Sequence, residues 1–306
     1  ENRQNVFWGL KVLEKTKRPG LRAIMSVAGV ETISTSTLGF VLGPRINSAG
    51  RLETAEKALE LVFEQDNFKA LDKAHQLDAL NKKRQTLQRS ALETAIKKAE
   101  QYQSDNVLVV EDESFNDGII GIVASGLVEK FKKPVFVISV GNEISKGSAR
   151  SFGDFSVSQA VKAVAGFIIK GGGHDAAAGV TLETSQISNF RKAVNKFYKS
   201  LNLKNQADKL VPAVDVKLDD FEDLTYDLYN KIQLLEPFGP GNEEPIFLAE
   251  NVTVVGRQEM GDKGQHIKLT LSDGQRQIKM LKFNAPSEFY AEPGEIIDVV
   301  FSIGIN

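Results

Sequence analysis

The chain has 306 residues, 42% of them hydrophobic, with a net charge of −2 and no cysteine. That length allows about two domains, and the near-neutral charge excludes a polycationic surface, so any nucleic-acid contact must come from a local basic patch. The missing thiols exclude disulfides and thiolate metal sites and fit a reducing, cytoplasmic compartment. No apolar run approaches the roughly 18 residues that span a bilayer, so no membrane partner is expected. The polar start Glu1-Asn2-Arg3-Gln4 is no signal peptide, and without an initiating Met it reads as a fragment or a processed product.

Residues 1–40 read as short helices, with Val6, Phe7, Leu10 and Leu13 at helical spacing and a break at Pro19-Gly20. In Leu42-Gly43-Pro44-Arg45-Ile46-Asn47-Ser48-Ala49-Gly50-Arg51-Leu52 the Gly-Pro pair predicts a bend. Arg45 and Arg51 bracket it, and two guanidiniums around a crowded turn suit a phosphate. Equally, both could pair with carboxylates such as Glu53 and Glu56. A helix is expected over 53–64. A second, with Asp66 as N-cap, is expected from Asn67 to about Gln103. Its narrow apolar stripe of Leu71, Ala74, Leu77, Leu80, Leu87, Ala91 and Ala95 leaves charged flanks with Lys82, Lys83, Arg84 and Arg89. At 1.5 Å per residue it would be about 50 Å long, which reads as a spacer between two domains.

From 105 to 201 strand and helix patterns alternate, which argues for an α/β domain. Strands are expected at 107–110, 134–138, 144–151 and 180–182. Helices are expected at 118–131, capped by Asn116 or Asp117, from Ser156 to about Ile168, and over 186–201. Within this domain lies Lys170-Gly171-Gly172-Gly173-His174-Asp175-Ala176-Ala177-Ala178-Gly179. Three successive glycines predict a turn whose backbone can take positive φ and whose N–H groups can converge on an anion. His174 would stand at its exit. Most glycine-rich turns are only turns, and no P-loop or dinucleotide fingerprint accompanies this one. Ser148 and Arg150, two apart on a strand, share one face. With the glycine segment they form a candidate phosphate pocket, the alternative being ordinary exposed strand polarity.

Residues 202–213 read as a linker. Beyond it come a strand at 214–218, a helix at 225–235, the turn-rich Glu236-Pro237-Phe238-Gly239-Pro240-Gly241-Asn242, and strands at 247–258, 266–271, 277–283 and 296–301. Asp273-Gly274 is a hairpin signal. Short strands with one helix predict a small β-barrel of the OB type. Arg257, Lys263, His266, Lys268, Lys279 and Lys282 could give it a charged strand-binding face, or simply a polar exterior. His75, His174 and His266 lie far apart, and no metal-ligand cluster or Ser-His-Asp arrangement is seen.

Five segments in order carry a resemblance. They are Gly43–Leu52, Asn116–Ser125, Lys146–Ser151, Gly171–Gly179 and Glu236–Asn242. The chain resembles the RecJ family of single-strand-specific 5′→3′ DNA exonucleases, in the DHH phosphoesterase superfamily. The resemblance implies an α/β multidomain fold in four parts. Residues 1–52 look like the tail of the catalytic DHH domain, 53–103 like connector helices, 104–201 like the DHH-associated substrate-recognition domain, and 202–306 like an OB-fold nucleic-acid-binding domain whose barrel is incomplete. Two positions depart from the pattern, Phe115 and Gly126, where Trp and Arg are expected.

The resemblance further implies a hydrolase of DNA repair and recombination using Mn2+ or Mg2+. The family's Asp-His-His metal motifs are absent from this chain, so no catalytic residue or metal ligand is assigned in it. Arg45 or Arg51 with Ser148 and Arg150 looks like a 5′-phosphate pocket. Asn47, Gly171, Gly172, Gly173 and His174 look like contacts for the terminal nucleotide. The implied partners are single-stranded DNA with a 5′ end, a single-strand-binding protein and a helicase. Two rivals share features: a DHH-type phosphodiesterase for cyclic dinucleotides or short RNA, and a non-catalytic single-strand-binding module.

Overall fold

The computed structural model describes residues 2–203, 213–262, 264–285, 289 and 291–305. The chain forms two compact units, one of residues 9–210 and one of 1–8 with 211–306. Most of the expected linker at 202–213 lies outside the described residues.

The chain opens with α1 (Asn2–Glu14) and α2 (Pro19–Val27), which begins on the proline because a missing N–H costs nothing in a first helical turn. A π-helical segment (Thr37–Leu42) then runs directly into α3 (Gly43–Leu52). The bend expected at Gly43-Pro44 is therefore a helix, again with proline in the first turn. Arg45 and Arg51 do not bracket a turn. Six residues apart on a helix, they point about 120° from each other. Next come α4 (Glu56–Phe63) and α5 (Asn67–Ala99), with Asp66 Oδ1 accepting from the Lys69 N–H at 2.9 Å as the expected N-cap.

Strands β1 (Leu108–Asp112), β2 (Val135–Ser139), β3 (Ile144–Arg150), β4 (Lys170–His174) and β5 (Ala177–Glu183) form a sheet in the order β1-β2-β3-β5-β4. Only β1 and β2 are parallel. Helices α6 (Ile120–Phe131), α7 (Val157–Ala163) and α8 (Ile187–Ser200) flank it. Ser156 caps α7 by accepting from the Gln159 N–H, but the helix stops at Ala163 rather than near Ile168 and gives way to a 3-10 turn at Ala165–Phe167. On one face, Phe136, Ile138 and Leu182 pack with Phe190 of α8 and Val161 of α7. On the other, Leu108, Val110 and Val137 pack with Leu127 of α6 and with Ala91, Ala95 and Ala99 of α5. The front half of α5 is buried elsewhere, with Ala70, Ala74 and Leu77 against Ile24, Leu42 and Leu61. The long helix is therefore no free spacer; its two ends are parts of two cores within one unit.

The expected triple-glycine turn is strand β4, corrected by its pairing. Gly171, Gly172 and Gly173 lie opposite Val180, Gly179 and Ala178. The chain reverses at Asp175-Ala176 instead.

The second unit contains β6 (Val216–Leu218), α9 (Tyr226–Gln233), β7 (Phe247–Met260), β8 (His266–Ser272), β9 (Gln277–Lys282) and β10 (Ile296–Phe301). Thr225 caps α9 through the Leu228 N–H at 3.1 Å. The sheet runs β10-β7-β8-β9, with β6 also on β7, and curls into a half-barrel around Phe221, Val254, Leu269 and Leu271. The Asp273-Gly274 hairpin forms as expected. Gly274 has φ +95°, and Asp273 Oδ1 accepts from the N–H groups of Gln275 at 2.8 Å and Arg276 at 2.7 Å.

Candidate anion-binding site

Strand β3 alternates. Ser145, Gly147 and Ala149 are buried, while Lys146, Ser148 and Arg150 stand on the opposite face. The register carries three rows across the sheet on that face: Lys146 with Thr181 and Lys170, Ser148 with Gly179 and Gly172, and Arg150 with Ala177 and His174. The middle row has a hydroxyl at one end and two strands of bare backbone beyond it. It forms a low floor, with the Ala177 methyl standing in the neighbouring row.

The glycines of β4 serve different purposes. Gly171 faces the α7 side, where a β-carbon would lie 2.7 Å from Val161 Cγ1. At Gly173 a β-carbon would lie 2.3 Å from the Ala177 carbonyl oxygen. Gly172 faces the open side, with no atom within 4 Å of where its β-carbon would be. Two glycines allow packing and the third keeps the floor clear.

Above this floor lies a cavity of about 570 Å³ whose lining includes Arg51, Lys146, Ser148, Arg150, Lys170 and Gly172. Arg51 arrives from the end of α3 and donates from Nη1 to the Gly118 carbonyl at 3.1 Å. Arg150 Nη1 donates to Ser148 Oγ at 3.2 Å and to the Ala149 carbonyl at 2.8 Å. The N-terminal end of α6 approaches the same pair. A β-carbon on Gly121 would be 2.9 Å from Arg150 Nη2 and 3.1 Å from Ser148 Oγ, so glycine lets the positive end of the helix dipole approach this pair without displacing the two side chains.

Among the described residues neither Arg51 nor Arg150 has a carboxylate partner. Burial, and then the nearby charge of Arg51, lower the Arg150 pKa from its ordinary value. A desolvated guanidinium without a counter-charge is a strong site for a bidentate oxyanion. The cavity's one carboxylate, Asp117, is held by Lys146 at 2.8 Å. Burial alone would raise the Asp117 pKa, but hydrogen bonds from Lys146 and Ser139 outweigh it and leave it lowered. Among the described residues no group of three or more His, Cys, Asp or Glu could hold a metal ion. The donor set of this cavity suits an oxyanion, and it does not fit Mn2+ or Mg2+.

Of the residues expected to act together, Arg51, Ser148, Arg150, Gly171 and Gly172 line this one cavity. Arg45 does not. Its Nε pairs with Asp78 Oδ1 of α5 at 2.8 Å, and its Nη1 donates to the Val41 carbonyl at 2.8 Å. Asn47, Gly173 and His174 are exposed and also stand outside the lining. His174 shares the face of Arg150 two strands away, about 10 Å by strand spacing. Sequence reasoning missed Gly118, Gly121 and Lys170. The signal for the first two was the Asn116 side chain, which accepts from the Gly118 N–H at 2.9 Å in an Asx turn leading into α6.

In the second unit the expected basic residues do not form one patch. Arg257 is paired with Glu259 and Glu292. His266 Nδ1 accepts from the Asn284 N–H at 2.9 Å. Lys268 and Lys279 stand on the face opposite Leu269 and Leu271, whereas Lys282 aligns with the buried Ile267. Lys263 lies outside the described residues.

Comparison with known proteins adds the family context. A model described as the DHHA1 domain matches residues 104–200, and one described as the RecJ OB domain matches residues 214–306. The chain is 33% identical to the single-stranded-DNA-specific exonuclease RecJ of Bacillus subtilis, over 100% of this chain and 39% of that protein. It is 31% identical to the protein of the same name from Thermus thermophilus, over 88% of this chain and 38% of that one. The crystal structure of RecJ from Thermus thermophilus in complex with Mn2+ superposes with a TM-score of 0.81 at 27% identity, covering 99% of this chain and 46% of that one. A crystal structure of exonuclease RecJ bound to manganese gives 0.59 at 29% identity, over 68% of this chain and 52% of that one. The chain thus spans under half the length of these two curated relatives.

Proposed function

We propose, from the premise that this chain belongs to the RecJ family, that its cavity grips the 5′-phosphorylated end of a single DNA strand. The observation that carries this is the convergence of Arg51, Ser148 and Arg150 over the bare floor at Gly172 and Gly179. Two guanidiniums supply charge-assisted bonds to a terminal phosphate, Ser148 supplies a hydroxyl, and the side-chain-free strands leave room for the first nucleotide. The activity of the whole protein is, on this reading, 5′→3′ hydrolysis of single-stranded DNA in repair and recombination. The metal-activated water that such hydrolysis calls for, with Mn2+ or Mg2+, belongs to residues other than those of this cavity. A single-strand-binding protein, a helicase and a cytoplasmic setting follow from the family resemblance.

The test is the affinity of the chain for a fluorescent single strand carrying a 5′-phosphate or a 5′-hydroxyl. The phosphate end should bind more tightly, and Arg150→Ala should erase the difference, a loss of about 1.5–3 kcal/mol for bonds to a charged group. Equal affinity for both ends in the unmutated chain would mark a plain strand-binding module. Preference for dinucleotides over long strands would mark the other phosphodiesterase reading.

A further inference from the structure

The cavity has a second end. Past the row of Ser148, Gly179 and Gly172 comes the row of Lys146, Thr181 and Lys170, and all three of these residues line the cavity together with Arg51, Ser148 and Arg150. Their neighbours in sequence fix which way they face. Val180 is buried in the core on the other side of the sheet, and a β-carbon on Gly171 would meet Val161 of that same core. By strand alternation Thr181 and Lys170 stand on the cavity side. Lys146 has its charge met by Asp117 at 2.8 Å. Lys170 does not. It is exposed, and among the described residues neither its ammonium nor the Thr181 hydroxyl has a hydrogen-bond or ion-pair partner. The two are directly opposite each other on β4 and β5, so one oxyanion can take both. An ammonium without a counter-charge favours an anion there over a neutral base. The spacing agrees. Two residues along a strand place this row about 6.8 Å from the Ser148 row. Three bonds of an extended chain advance about 3.4 Å, so the six bonds between neighbouring phosphorus atoms of a nucleic-acid strand span about 7 Å.

We propose that Lys170 and Thr181 form a second anion subsite, which takes the phosphate on the 3′ side of the first nucleotide. This rests on the reading that Arg51, Ser148 and Arg150 hold the 5′-phosphate. The first sugar then lies over the bare backbone at Gly172 and Gly179, between the two anions. A lone 5′-mononucleotide fills one subsite, and the end of a continuing strand fills both. The cavity therefore distinguishes a strand end from a free mononucleotide.

The experiment binds the whole 306-residue chain to a fluorescent 5′-phosphorylated oligothymidylate. The strand is then displaced with thymidine, its 5′-monophosphate, its 3′-monophosphate, its 3′,5′-bisphosphate or its 5′-diphosphate. The bisphosphate should act at about one tenth of the concentration that the 5′-monophosphate needs, as expected for one charge-assisted contact. Lys170→Gln should bring the two together, and Thr181→Val should remove part of the gain. The 5′-diphosphate adds charge at the other end, so Lys170→Gln should weaken it less than the bisphosphate. Equal displacement by bisphosphate and 5′-monophosphate in the unmutated chain overturns the proposal without reference to any variant's folding. So does a Lys170→Gln chain that keeps the full gain, or one that weakens bisphosphate and 5′-diphosphate alike, which marks general attraction only. If a 3′-phosphate helps through Lys170 while a 5′-phosphate gives no advantage over thymidine, the end-recognition reading fails and the subsite stands. If a 5′-phosphate helps and a 3′-phosphate adds nothing, the subsite fails and end recognition stands. Displacement by none of the five overturns both.

Discussion

Arg51 and Gly118 fix each other. The Arg51 guanidinium donates to the Gly118 carbonyl at 3.1 Å, and a β-carbon on residue 118 would come within 1.8 Å of the Arg51 carbonyl oxygen. The end of α3 is therefore pressed onto the segment leading into α6, and backbone on both sides leaves nothing flexible to yield. Gly118→Ala should destabilise the chain by about 1–3 kcal/mol, the usual cost of overpacking. It should also weaken 5′-phosphate binding, because Arg51 moves with its backbone. Urea denaturation reads the first effect, and anisotropy with a 5′-phosphorylated strand reads the second.

The glycines of β4 should separate in the same way. Gly171→Ala places a methyl against Val161 and Ile168 and should cost about 1–3 kcal/mol in urea denaturation. Gly172→Ala meets open space. It should leave the denaturation midpoint nearly unchanged while lowering affinity for the strand, since the added methyl rises from the cavity floor.

A pH effect follows from Asp112. It accepts from Lys98 Nζ at 2.6 Å and from the Ser114 hydroxyl and N–H at 2.6 and 2.9 Å. The Lys98 hydrogen bond first, and the Ser114 bonds after it, lower its pKa to about 2 from the ordinary 3.8. A carboxyl depressed in the folded state adds stability above its unfolded pKa and loses it as pH falls through the folded value. The difference in melting temperature between the unmutated chain and Asp112→Asn should hold above pH ~4 and shrink towards pH ~2. A constant difference across that window would rule out this contribution.

Chelation should not touch end binding. The cavity's groups are guanidiniums, lysines, the hydroxyls of Ser148 and Thr181, and one carboxylate held by Lys146, so EDTA should leave the affinity for a 5′-phosphorylated strand unchanged. A drop on chelation, restored by Mn2+, would show that a cation takes part in the grip.

Much of this architecture was legible in the sequence wherever one period dominated. The Asp66 cap and the strip of small and apolar residues through Ala95 marked α5, and strict alternation at Ile267, Leu269 and Leu271 marked β8. Pairing was not legible. Three glycines carry no side-chain period, so only the partner strand at Ala178–Val180 decides that 171–173 is extended. Gly43-Pro44 looks like a bend locally, but proline fits a first helical turn equally well and α5 packs alongside. The partner of Arg45 was likewise hidden, because Asp78 lies 33 residues away on a helix whose rotation the sequence leaves open. Ser148 and Arg150 were within reach because they share a strand. The approach of Arg51 depends on Gly118, a contact made only in three dimensions.

Because one uninterrupted helix is embedded at both ends, α5 acts as a ruler for the site. Arg51 hangs from the body at the front of this ruler, and Arg150 from the body at its back. Their separation is held by the direct contact of Arg51 on Gly118 and by the stiffness of the span Lys83–Arg89, none of whose residues belongs to either core cluster. A glycine pair introduced there would soften the gauge while leaving both hydrophobic interiors whole, trading discrimination at the strand's end for tolerance of its shape.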